Sequence, residues 1–202
     1  MVKREISERR RMRMKFETEG CYDLHVHTGP DVIPRKLDDM EMARQACAVG
    51  MRGFAIKSHV APTQGRAAIL RELFPNLQIF GGIALNRQVG GINPAAVEAA
   101  AKMGAKFVWF PTMDAKAYRK EAGDPDWETG LSALDAQGNL SKGALEVLKA
   151  AKEYDMVVGT GHLGAQEARR IVKAGYNLGL RRMCLTHVTL PVCQMGVDDL
   201  LN

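Results

Sequence analysis

The chain has little that would place it in a membrane or send it out of the cell. None of the apolar runs in its 202 residues is long enough to span a bilayer. Its basic start is not followed by the apolar stretch of a secretion signal. Glu5, Glu8, Glu17 and Glu19 argue against a mitochondrial leader. Cysteine is sparse as well. Cys21, Cys47, Cys184 and Cys193 stand far apart and form no C-x-x-C pair. They read as reduced thiols of a cytoplasmic protein, with Cys21 and Cys184 in strand-like runs.

Charge of one sign is also missing from most of the chain. The formal net charge is +5, but Lys3, Arg4, Arg9, Arg10, Arg11, Arg13 and Lys15 crowd into the start. A basic head of this kind can touch nucleic acid or anionic lipid. Here it reads as a solvated terminal segment over residues 1–19, in which Glu5 to Lys15 suits a short charged helix. The remainder is near neutral, so neither nucleic acid nor membrane is expected as a partner. The length suits one domain over residues 20–202.

What is present is a repeated unit. Tyr22 to Val26 reads as a strand, followed by a Gly- and Pro-containing loop at 28–36. A helix opens at Asp38 or Asp39 and stops at Gly50. Strands at 52–57, 77–85, 106–110, 155–160 and 181–186 follow. Between them lie helices at 63–74, 95–103, 141–154 and 166–174. Asn93-Pro94 and Ser141 carry the helix-start signatures. Residues 112–140 break the rhythm with Gly123, Asp124, Pro125, Asp126, Gly130, Gly138 and Asn139. They read as a long inserted loop with room for a small hairpin.

Alternating strands and helices with short turns predict an α/β fold with a parallel sheet and crossover helices. Polar residues recur where the strands end: His25 and His27, Lys57 and His59, Asn86, Asp114, His162, His187. In a (β/α) barrel the site lies at those ends. The expectation is therefore a TIM-like barrel, incomplete at about six βα units. A complete one takes about 250 residues. An open side would invite a second copy, so a homo-oligomer is expected.

The five histidines of the chain are His25, His27, His59, His162 and His187, and each falls at or just past an apolar strand. His25 and His27 are spaced i, i+2, which in a regular strand puts both imidazoles on one side. Grouped imidazoles suit a divalent metal, with zinc the first expectation. Manganese, iron or nickel also accept such donors. By the same alternation Asp23 shares the side of His25 and orients it or packs at the rim. Asp114 is placed as carboxylate ligand or general base. Lys57 is placed as a bridge between metals if carboxylated, as an anion-binding group, or in a salt bridge. Arg35, Lys36, Lys57 and Arg87 are cations near strand ends that could hold a phosphate.

Asp23-Leu24-His25-Val26-His27, Gly161-His162 and Thr186-His187 resemble the amidohydrolase superfamily of metal-dependent hydrolases. Thr28-Gly29-Pro30-Asp31, Lys57-Ser58-His59 and Gly159-Thr160-Gly161-His162-Leu163 are similar to an uncharacterised amidohydrolase-like family. The resemblance spans about residues 21–190 and implies that His25, His27, His162 and His187 bind one or two metal ions. The implied activity is hydrolysis of a C–N or C–O bond in a small-molecule substrate by metal-activated water. Lys57, His59 and Asp114 become the catalytic candidates. Arg35, Asn86 and Arg87 become the substrate-binding ones.

Two features depart from the superfamily pattern. The fourth strand ends in Pro111-Thr112 with no lysine, and no strand-eight aspartate has a counterpart. His59 on the second strand resembles the polymerase-and-histidinol-phosphatase (PHP) group, phosphoesterases on a smaller related barrel. The alternatives to the hydrolase are thus a PHP-like phosphoesterase and an inactive, metal-binding truncated barrel.

Overall fold

The computed structural model describes residues 18–193, 195 and 196; the helix expected at Glu5 to Lys15 lies outside them. The order of elements alternates as the sequence predicts. The strands are β1 (Tyr22–Val26), β2 (Gly53–Ile56), β3 (Gln78–Phe80), β4 (Gly82–Ala84), β5 (Phe107–Trp109), β6 (Val157–Gly159) and β7 (Met183–Cys184). The helices are α1 (Asp39–Ala48), α2 (Gln64–Leu73), α3 (Pro94–Lys102), α4 (Lys116–Glu121), α5 (Lys142–Glu153) and α6 (Ala165–Asn177). No helix among the described residues is long and apolar enough to cross a membrane.

Local chemistry sets the helix ends. Asp38, Asn93 and Ser141 each accept a backbone N–H of the following first turn, at 2.7, 3.3 and 3.2 Å. Pro94 stands just inside α3, where its missing N–H costs nothing. Gly50 follows α1 with φ +69°, the left-handed turn that closes a helix.

All strand pairs are parallel. They form one sheet in the order β1-β2-β3 and another in the order β4-β5-β6-β7. The single strand expected over 77–85 is therefore two strands, separated by Gly81. A Cβ on Gly81 would run into the backbone of Gln64, so only glycine lets the start of α2 press this close. Thr63 fills the break. Its hydroxyl donates to the Ile56 carbonyl at 2.7 Å and accepts the Gly82 N–H at 2.9 Å. Backbone groups that a continuous ladder would pair are satisfied there by a side chain.

The sheets do not close on themselves. On their outer sides β1 and β7 have no strand partner among the described residues. The sixth strand expected over 181–186 contracts to the two residues of β7.

Residues of alternate parity separate cleanly. Phe54 and Ile56 of β2 and Ile79 of β3 pack with α1 and α2, while Ile83, Val108 and Val158 pack with α3, α5 and α6. The opposite parity, Ala55, Ala84, Phe107 and Trp109, forms a small inner cluster with Phe80 and Val157. Phe107 and Trp109 stack there at 5.3 Å and 11°. The helices thus cover one face of the strands, and this small cluster lies on the other.

The loop expected over 112–140 contains ordered structure. Helix α4 occupies six of its residues. Leu131 is tied back by its N–H to the Asp114 carbonyl (2.7 Å) and by its carbonyl to the Lys116 N–H (2.8 Å). An antiparallel bridge joins Leu134 and Leu140, where a small hairpin was expected. Six residues flanked by Gly and Asp are too short for a helical period to show.

Candidate functional site: a circuit of five histidines

Parallel strands place their carboxyl ends on one side, and the residues just past those ends meet there. The five histidine rings do meet. Their centroids run 5.2 Å from His25 to His27, 4.6 Å on to His59 and 5.7 Å on to His162. The circuit continues 5.3 Å to His187 and closes 4.8 Å back on His25.

Each ring reaches the circuit by a local device. β1 bulges: Asp23 stands opposite Phe54 but Val26 stands opposite Ile56, so three steps on β1 match two on β2. The alternation expected for the pair still holds: His25 and His27 face each other with their Nε2 atoms 3.3 Å apart. The Asp23 carboxylate accepts the His25 backbone N–H at 3.0 Å. His162 follows Gly161, whose φ is +66° and where a Cβ would strike the Phe110 carbonyl oxygen. That turn lets the His162 N–H reach the Pro111 carbonyl at 2.9 Å. His187 itself has φ +53°, a left-handed backbone costly for a residue with a Cβ.

Burial keeps these rings neutral. Loss of solvation, then the nearby Lys57 cation, pulls His25 down to about 3, His27 to about 4, and His59 and His162 to about 3. His187 is lowered for the same two reasons. Neutral imidazole is the form that ligates a metal.

Lys57 stands against the circuit at His25, fully buried. Its Nζ lies 3.2 Å from His25 Nε2 and 5.3 Å from the centre of the Trp109 ring. Its neighbours are an imidazole and an indole rather than a carboxylate, and burial lowers it to about 7. Among the described residues it makes no salt bridge.

The donor set suits a metal in kind. Two imidazole nitrogens on one tetrahedral zinc, each about 2.0–2.1 Å from it, stand about 3.3–3.4 Å apart. His25 Nε2 and His27 Nε2 are 3.3 Å apart, long for an N–H hydrogen bond, where about 2.9–3.0 Å is usual. Nδ1 of His27 and both ring nitrogens of His162 are buried with no hydrogen-bond partner. Unpaired buried polar atoms are costly and call for an explanation. Convergence stops at the pair, however. Among the described residues no group of three or more His, Cys, Asp or Glu stands ready to hold a metal ion. A bite of two nitrogens exists; a third ligand needs a ring to turn.

A polar brace holds His59. Its Nδ1 is 2.7 Å from the Thr112 hydroxyl, which leaves Nε2 for the circuit. Asn86 donates to that hydroxyl at 2.6 Å and to the His59 carbonyl at 2.7 Å. The Asn86 side-chain oxygen accepts the N–H groups of Thr112 and Asp114 at 2.9 and 3.2 Å. The amide expected to bind substrate is thus committed inside the protein, where it ties the ends of β2, β4 and β5 together.

A cavity of about 470 Å³ adjoins His59 and is bordered by Asn86, Arg87 and Asp114. Asp114 accepts the Arg87 backbone N–H at 2.8 Å. Arg35 is held by Asp31 at 2.8 Å, with both side chains largely buried. The guanidinium holds Asp31 below the usual carboxylate range. Four neighbours were not singled out from sequence: Trp109, Thr112, Arg119, which borders the cavity, and Tyr118, whose ring lies 5.0 Å from His162. Only a strand-end rule applied to Thr112 could have found one of them.

No curated protein matches the chain. The profile of a family of unknown function (DUF6282) matches residues 20–202, and the chain belongs to that family.

Proposed function

We propose that this chain is a metal-dependent hydrolase of the amidohydrolase type, built on an incomplete (β/α) barrel and acting on a C–N or C–O bond. The observation that carries the reading is the circuit of five neutral imidazoles with unpartnered buried nitrogens. Helices on one face of the strands and a small apolar cluster on the other fit a barrel wall better than a doubly wound sheet. The open edges leave room for a second copy beside β1 and β7.

His25 and His27 would hold the ion, zinc being the first choice, with His162 and His187 completing the set. When bound, it supplies a water that ionises near neutrality and a Lewis acid for the substrate oxygen. The chain's own groups do the rest. Lys57, about half protonated at pH 7, accepts or gives a proton beside His25. Trp109 and the inner cluster exclude bulk water beneath the rings. The Thr112–Asn86 brace fixes the face of His59. Asp114 borders the cavity and is placed to take a proton from a substrate there. Thiols rather than disulfides at Cys47, Cys184 and Cys193 suit a reducing compartment such as the cytoplasm.

A second reading rests on His59. Its place in the circuit suits a PHP-like phosphoesterase equally well.

The test joins metal analysis to a substrate panel. Purified wild-type protein is expected to carry at least 0.5 equivalents of a divalent ion, about one at saturation. His25→Ala and His162→Ala should each lower affinity at least about tenfold while the circular dichroism spectrum stays unchanged. Turnover of lactones or cyclic amides supports the hydrolase, and turnover of p-nitrophenyl phosphate supports the phosphoesterase. Protein that binds no divalent ion sinks both, and metal without turnover points to the inactive barrel.

A further inference from the structure

Arg119, on the short helix α4, and Arg87, just past β4, converge on one residue. Arg87 Nη2 donates to the Thr129 carbonyl at 2.6 Å and to its hydroxyl at 3.3 Å. Arg119 Nη1 donates to the same hydroxyl at 2.8 Å. Two guanidinium groups sharing one hydroxyl repel each other unless anions offset them. Asp124 does so for Arg119, at 2.7 Å from Nε, and holds that guanidinium in its charged form. Arg87 is less completely offset. Asp114 uses Oδ2 on the Arg87 backbone N–H, and its Oδ1 stands 3.8 Å from Nε, beyond hydrogen-bond reach.

Both arginines border the cavity that His59 adjoins, and at about 470 Å³ it has the size of a small-molecule site. Val32, Ile33, Val60 and Met113 supply apolar lining beside the charged groups. Val32 is 73% exposed, so an apolar group entering the cavity gains by covering it.

We propose that Arg87 and Arg119 clamp the oxyanion of the substrate, and that the substrate is a small anionic molecule with a compact apolar body. Arg119 is the fixed jaw, set by Asp124 and Thr129. Arg87 is the jaw with donors left for the ligand. A planar fork facing an oxyanion gives paired, charge-assisted hydrogen bonds. The anion is a carboxylate or a phosphate, which present the same oxygens. The proposal rests on the hydrolase reading only for the statement that the bound molecule is a substrate.

The test is binding, so that failure of the metal reading leaves it intact. Phenylacetate, phenylphosphonate and the neutral phenylacetamide are titrated by calorimetry into full-length protein, with and without chelator. One or both anions should bind at least about tenfold tighter than the amide, about 1.4 kcal/mol. Arg87→Gln should remove that advantage and leave amide binding unchanged. Arg119→Gln should do the same, and Arg87→Lys should restore part of it. Tight phenylacetate assigns a carboxylate substrate; tight phenylphosphonate alone assigns a phosphate one. Equal binding of acid and amide, or an anion advantage that survives both Arg→Gln substitutions, overturns the clamp.

Discussion

The buried imidazoles set a measurable pH dependence. In the unfolded chain a histidine takes up its proton near the ordinary 6.5, whereas His25, His59 and His162 in the fold hold out until about 3 and His27 until about 4. Between those values the unfolded state binds more protons, so stability falls as pH is lowered through that window. Metal-free protein is expected to lose about 10 °C of Tm between pH 6.5 and pH 4. The slope should flatten in a His59→Gln, His162→Gln double variant. A wild-type Tm that stays level across the interval would show that the rings titrate normally. Lys57 acts in the same direction higher up: it gives up its proton at about 7 in the fold and near 10.5 unfolded, so stability rises with pH between the two. Residue identity was legible at this scale. All five histidines and Lys57 stand out in the sequence because each falls at or just past the end of an apolar strand. Asn86 stood out too, but only its four internal bonds show that it braces rather than binds.

Among the elements, the break between β3 and β4 is the informative one. Leu77 to Leu85 has the apolar content of one long strand, and nothing local says where it stops pairing with β2. Gly81 and the Thr63 hydroxyl decide that together, from segments well apart in the chain. Thr63→Val keeps the shape but leaves the buried Ile56 carbonyl without this donor and the Gly82 N–H without this acceptor. It should cost about 1–3 kcal/mol in urea denaturation. A loss below about 0.5 kcal/mol would mean that the hydroxyl is not what closes the gap. Helix α4 illustrates the opposite limit. Its charged sequence and Gly-rich flanks resemble loop, yet it carries Arg119 and Tyr118 to the cavity and the circuit.

For the molecule as a whole, central and edge strands differ in how well they are protected. β5 and β6 have strand neighbours on both sides and helices over them, while β1 and β7 end their sheets. Leu24 on β1 is 50% exposed, unusual for a leucine in a strand. Hydrogen exchange followed by mass spectrometry should find amides of 107–109 and 157–159 the slowest in the chain. Those of 22–26 and 183–184 should exchange at least about tenfold faster. Equal protection would show that the free edges are covered in solution, as a second copy would do.

The sequence alone determined the alternation of strands and helices, the helix caps at Asp38, Asn93 and Ser141, and the placing of each histidine at a strand end. Those features depend on period and on contacts a few residues apart, which a linear chain displays directly. Tertiary structure decided the rest: the split at Gly81, the open edges, the bulge in β1, and the sharing of Thr129 by Arg87 and Arg119. Each of those depends on backbone and side chains brought together from separate elements. Their distances follow from packing, which no spacing along the chain encodes.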